Sequence, residues 1–222
     1  MHKFKKLIFS YYCLLHNFFN RNCIKIVNDN NEFIRKNVIL KGLTLTILGK
    51  NNKILIDQFC LIKNLNIKIN GKNNFLYIGK EAVIISGDFK ILGNDTTMKI
   101  GDKTSIRGAS FNAIGEGKKL VLGSDCMLGD GIKIWTGDAH PIIDLKTKKQ
   151  IAKPEDIIIG DHVWVGSDCL ILKGAKIGNN CILGTKTIFK GKLKNNCLVV
   201  GNPARILKNN IEWQRKRMYK DK

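Results

Sequence analysis

With 222 residues the chain can bury one elongated core with short attachments, and it is too short for two large domains. Lys and Arg number 38 against 18 acidic residues, a formal net charge of +20. The lysines are nevertheless scattered through nearly every segment and form no basic block interleaved with aromatics, which argues against a nucleic-acid binder and leaves a solvated surface able to attract anionic substrates. The seven cysteines, an odd number without a C-x-x-C pair, argue against a disulfide framework or zinc site and for a reduced, intracellular protein.

Residues 1–22 carry Phe4, Leu7, Ile8, Tyr11, Leu14, Leu15 and Phe18 at helical spacing, behind Lys3, Lys5 and Lys6. Tyr, His and Asn interrupt the apolar run and no small-residue cleavage site follows, so the segment reads as an amphipathic helix rather than a signal peptide or a membrane span. Packing on the body of the protein or on a sister subunit is one role for it, and contact with an anionic membrane surface is the other.

From residue 38 to residue 123 a repeat of 22 is marked by Gly49, Gly71, Gly93 and Gly115, which open segments such as GKNNKILID and GKNNFLYIG. Twenty-two is three sides of six plus four, so each coil of a solenoid gains a short polar corner of the Gly-Lys-Asn-Asn type, whose Gly and Asn tolerate left-handed backbone angles. Those corners are expected to stack as a ladder along one edge. The phase is lost after Ile134, and residues 136 to about 158 form a long insertion that holds His140 and ends in a Lys-rich stretch up to Pro154. A loop of that length inside a solenoid is usually functional.

Between Ile159 and Lys194 the period becomes six. Aliphatic or aromatic residues stand at Ile159, Val165, Ile171, Ile177, Leu183 and Phe189, and four places after each come Val163, Cys169, Ala175, Cys181, Thr187 and Leu193. Six fits neither a helix nor a simple strand alternation; it fits a short strand plus a corner, three of which close one triangular coil. Gly201-Asn202-Pro203-Ala204-Arg205 ends the repeat, and Asn209 or Asn210 is placed to cap a short helix carrying Trp213, Arg215 and Lys216 within the C-terminal stretch 206–222.

The hexapeptide pattern resembles that of the left-handed parallel β-helix acyltransferases, so the fold class is all-β, with the β-helix spanning residues 23–205. The run Asp138-Ala139-His140-Pro141, followed by Asp161-His162-Val163-Trp164-Val165-Gly166, is similar to the active-site region of the bacterial polysaccharide O-acetyltransferases, in particular the sialic acid and capsule branch. His140 is the only one of the four histidines in the expelled loop, and imidazole, with an ordinary pKa of about 6.5, suits the removal of a proton at neutral pH. Asp138 is the candidate for orienting it, because a base needs a third group to fix its tautomer.

The resemblance implies that His140 deprotonates the acceptor hydroxyl and that Trp164 shapes the acetyl-CoA site. It also implies cofactor contacts at Ser167, Gly184, Thr185, Lys190, Arg205 and Lys208, a homotrimer with sites at subunit boundaries, an anionic glycan acceptor and a cytoplasmic setting. Lys186 and Phe189 depart from the small residues common at those places and would reshape a pantetheine channel. Two other enzyme readings stand beside this one. The same scaffold serves N-acetyltransferases of nucleotide-linked amino sugars, whereas a zinc enzyme of the β-helix carbonic anhydrase type needs three histidine ligands and the coil region has only His140 and His162. A non-catalytic scaffold would release no thiol from acetyl-CoA.

Overall fold

A short strand between two corners can bury only one face, and it is stable only when the coil above and the coil below cover that face. The computed structural model, which describes residues 22–27 and 30–216, meets that requirement with a β-helix of three parallel sheets. The first face runs from Cys23–Val27 to Ile188–Phe189 and the second from Glu32–Arg35 to Lys192–Leu193, with eight strands each. The third face runs from Ile39–Lys41 to Cys197–Val200 and gains a ninth, antiparallel strand, Arg205–Asn209. The architecture matches the left-handed β-helix, and no helix occurs among the described residues.

The repeat positions become vertical columns. Leu45, Ile67, Phe89, Phe111, Ile134, Ile171 and Phe189 stand one above another inside the first face, with the Phe89 and Phe111 rings stacked at 4.6 Å. Ile56, Ile78, Ile100, Leu122, Ile159, Ile177 and Leu193 do the same inside the second. All six aliphatic positions of the hexapeptides, and the six small ones, are buried. Each fully buried Ile, Leu or Phe contributes about 1.5–3 kcal/mol, against a net of about 1 kcal/mol for a hydrogen bond, so the columns supply most of the stability and the corners set the register.

The predicted ladder forms at the edge between the first and second faces. Gly49, Gly71, Gly93 and Gly115 lie directly over one another with φ of +124°, +134°, +147° and +110°. A Cβ on Gly71 would come within 1.9 Å of the Gly93 carbonyl oxygen, so no other residue fits there. Beside them the buried side chain of Asn74 donates to Asn52 Oδ1 at 2.9 Å, and Asn52 donates to Asn31 Oδ1 at 3.0 Å.

Equivalent corner residues are 21 apart between the first two coils, 22 apart from there to the fifth, 37 apart where the long loop leaves, then 18 and finally 16. The loop itself is shorter than predicted. Ile157 is fully buried and belongs to the strand Ile157–Ile159, which ends the insertion at residue 156.

Two terminal expectations fare differently. The amphipathic helix over residues 1–22 lies outside the described residues except for Asn22, whose side chain accepts from Leu43 N at 2.9 Å and so already belongs to the β-helix. The helix expected after Asn209 is absent from the described residues, because 205–209 pair as a strand and 211–214 carry no regular structure. Long-range contacts of Trp213 and Arg215, described below, override the local helical signal.

Candidate active site

The long loop leaves from the ladder edge, one coil above Gly115. Its root is pinned on both sides. Thr136 is buried and its hydroxyl donates to Ile114 O at 2.9 Å, while Glu155 N donates to Thr136 O at 2.8 Å. Pro154 lies over Gly115, where the next glycine rung would have been. At the tip, Ile143 and Gln150 form an antiparallel bridge, and Asp144 Oδ1 closes the turn by accepting from Thr147 N at 2.6 Å and from the Thr147 hydroxyl at 2.8 Å. These bonds, that of the Thr147 backbone first, hold the Asp144 carboxyl below its ordinary range.

His140 sits between the pinned root and the closed tip with its side chain exposed. Asp138, expected to orient it, is ion-paired with Lys173 Nζ from the coil above, and Lys173 is mostly buried. A pocket at the loop root is lined by Trp135, Asp138, Ile142, Leu172, Lys173 and Lys190. Lys190, predicted for the cofactor, thus lies on the same edge as His140.

Trp164 is elsewhere. It stands on the outer surface of the third face, 39% exposed, between Met127 and Ile182 of the neighbouring coils. In a triangular cross-section that face is opposite the edge that carries the loop, so one chain does not bring His140 and Trp164 together. Ser167, Gly184 and Thr185 occupy the edge between the third and first faces, where Gly166 and Thr185 of successive coils approach closely. Arg205 and Lys208 are exposed on the last strand of the third face. The candidate residues therefore fall into two groups, with His140, Asp138 and Lys190 on the loop edge and the others on or beside the third face.

Sequence reasoning missed Trp135 and Lys173 at the loop root. Both were in principle readable, since Trp135 ends the strand before the loop and Lys173 follows the next coil's strand on the same edge. It also passed over His162, which lies at the edge between the second and third faces with φ +54°. His162 Nδ1 is 2.6 Å from Asp125 Oδ2 and Nε2 is 2.9 Å from Trp213 O, and the His162 and Trp213 rings stack at 4.1 Å.

The buried cysteines offer no nucleophile. Cys60 and Cys126 donate to backbone carbonyls of the next coil, and burial pushes their thiols up to about 12. Among the described residues no group of three His, Cys, Asp or Glu side chains could hold a metal ion.

Residues 156–191 match the bacterial transferase hexapeptide family of six repeats. The chain is 36% identical over 96 residues to a polysialic acid O-acetyltransferase of Escherichia coli O1:K1 / APEC, a match over 43% of this chain and 31% of the relative, so it spans about a third of that curated protein. Two solved structures extend the likeness. The polysialic acid O-acetyltransferase OatWY superposes with a TM-score of 0.83 at 32% identity, covering 91% of this chain and 95% of that one. The polySia-specific acetyltransferase NeuO gives 0.82 at 30% identity, covering 87% and 88%.

Proposed function

Because the chain belongs to the bacterial hexapeptide transferases, in the branch of the polysaccharide O-acetyltransferases, we propose that it transfers an acetyl group from acetyl-CoA to a sugar hydroxyl of a bacterial surface polysaccharide, with sialic acid the first acceptor to test. The observation that carries this reading is the likeness to a polysialic acid O-acetyltransferase over nearly the whole chain, combined with an exposed histidine on a loop pinned at its root.

In the reaction His140 accepts the hydroxyl proton as the oxygen attacks the thioester carbon. The tetrahedral oxyanion is stabilised by backbone N–H groups of the corners. It then collapses, the C–S bond breaks, and the imidazolium returns the proton to the departing sulfur. Acetyl-CoA supplies the activated acetyl group, and its use sets the reaction in the cytoplasm. Trp164, Ser167, Gly184, Thr185, Arg205 and Lys208 make up the donor side, and Lys190 and the Trp135 pocket face the acceptor side.

On this reading the site is a shared one, completed when the loop of one subunit reaches the third face of the next, and the separation of His140 from Trp164 within one chain supports it. The loop's own chemistry fits that role, since Ile142, Ile143, Leu145 and Ile151 are 44–81% exposed in the single chain. A trimer closes the arrangement symmetrically. Full activity in a species of monomeric mass would overturn it.

The deciding experiment is release of free thiol from acetyl-CoA across a panel of sialic acid polymers, neutral glycans and amino sugars. Acetyl ester on the sialic acid polymer is the expected product. Thiol release with amino sugars alone, or with none of the panel, would overturn the reading.

A further inference from the structure

After the strand Arg205–Asn209 the chain does not stay at the open end of the β-helix, as a simple cap would. It turns back and runs down the edge between the second and third faces. Ile211 N donates to Asn196 O at 3.1 Å, and Asn180 Nδ2 donates to Ile211 O at 2.9 Å. One coil further down Trp213 is buried on His162, its Nε1 donating to His162 O at 2.8 Å. Further down still, Arg215 donates to Asp125 Oδ1 at 2.7 Å, to the Ser105 hydroxyl at 2.9 Å and to Cys126 O at 2.7 Å. The strap thus grips five successive coils, the furthest of them 110 residues away in the sequence.

What it grips lies beside the donor group. The Trp213 ring stands 6.1 Å from that of Trp164, tilted by 47°, and the Arg215 guanidinium lies over the Trp213 ring, 5.7 Å from its centroid. We infer that the C-terminal strap is a positioning clamp for the donor site, in which His162, Asp125 and Arg215 hold Trp213 so that Trp213 fixes the indole of Trp164 for acetyl-CoA. The inference rests on the proposed donor role of Trp164. It makes Trp213 and His162 positioning residues, acting through Trp164.

The His162 ring is the pivot of the clamp: it meets the Asp125 carboxylate at Nδ1 and the Trp213 carbonyl at Nε2, so one side chain ties the strap to the coil below. The charged groups around it are Asp125 from the coil below, Arg215 from the strap and Asp161 next in the chain; the Cys126 thiol is held neutral by burial.

The test uses the full chain and acetyl-CoA as the probe, with Kd from calorimetry and kcat at saturating donor, measured together with Tm. Trp213→Ala, which removes the indole stacked on His162 and its Nε1 bond to the His162 carbonyl, is expected to raise the Kd for acetyl-CoA roughly tenfold, with kcat at saturation little changed. Trp213→Phe, which keeps the ring stack, should recover most of the affinity. His162→Asn suits the left-handed backbone at this corner and should raise the Kd by a similar factor, roughly tenfold. Variants that bind as tightly as wild type while their Tm falls would overturn the clamp and leave the donor site standing. A wild-type chain that binds no acetyl-CoA would overturn the donor reading and the clamp with it.

Discussion

The first five coils and the last three are built from the same columns but treat their corners in opposite ways. In the lower stack the corner between the first and second faces is a closed ladder: glycines directly over one another, asparagine amides in a buried chain, and each glycine rung 22 residues from the next. In the upper stack the same corner opens into the loop of His140, the turns shorten to 18 and 16 residues, and the strap crosses the outside. A closed corner satisfies its backbone by repetition and leaves nothing to bind a substrate. An opened one must be satisfied by particular side chains, and Thr136, Pro154, Lys173 and Asp144 do this.

The sharpest contrast comes from removing one side chain from the upper stack. His140→Ala should lower kcat by roughly a hundred- to ten-thousand-fold, the usual contribution of a positioned general base, and leave Tm unchanged because the side chain is exposed. More than about a tenth of wild-type turnover in this variant would put the base elsewhere.

Adding one carbon to the lower stack should do the reverse. Gly71→Ala sets a Cβ 1.9 Å from the Gly93 carbonyl oxygen at φ +134° and is expected to cost more than about 4 kcal/mol, in the range reserved for backbone clashes. Gly117→Ala, at φ +62° with open space around the new carbon, should cost only about 1–2 kcal/mol. Urea midpoints will order the two. Equal midpoints would mean that the ladder is not what holds the corners in register.

The ladder and the columns were legible in the sequence because each is set by residues one coil apart, and a fixed period exposes them. Gly49 through Gly115 and Ile159 through Phe189 needed no knowledge of anything else. His140 was legible for the complementary reason, as the histidine expelled from the period. The strap was not, because Trp213 and Arg215 find their partners at sequence separations of 51 and 90, and locally Asn209 followed by cationic residues reads as a capped helix. The partner of Asp138 was missed for a related reason. An acid two residues from a histidine suggests a pair, but the loop root turns Asp138 toward Lys173 of the next coil.

That pairing gives a smaller test within the upper stack. If Asp138 serves His140 only by holding the loop root, Lys173→Met and Asp138→Asn should lower kcat by similar factors, about tenfold or less, and the double variant should be no worse than either single one. An Asp138→Asn variant that also shifts the pH dependence of kcat, with Lys173→Met leaving it in place, would return Asp138 to the role of orienting the imidazole.

The smallest effect separates the strap from the loop through two carboxylates that both titrate low. Burial alone would raise Asp125, but hydrogen bonds from Arg215 and His162 and their charges outweigh it and hold the carboxyl below its ordinary value. Asp144 is lowered by the Thr147 bonds within its own turn. A group whose folded pKa lies below its unfolded one stabilises the fold fully above the unfolded value, near 4 for Asp, and that stability drains away as pH falls through the folded value. Asp125 ties the strap to the columns, so its contribution belongs to global unfolding. Asp144 ties only an exposed hairpin to itself, so its contribution belongs to local opening. The Tm difference between wild type and Asp125→Asn should therefore be steady down to about pH 5 and shrink below it, whereas Asp144→Asn should track wild type throughout. A difference for Asp125→Asn that stays constant into the acid range would mean that the ionised carboxylate is not what holds the strap.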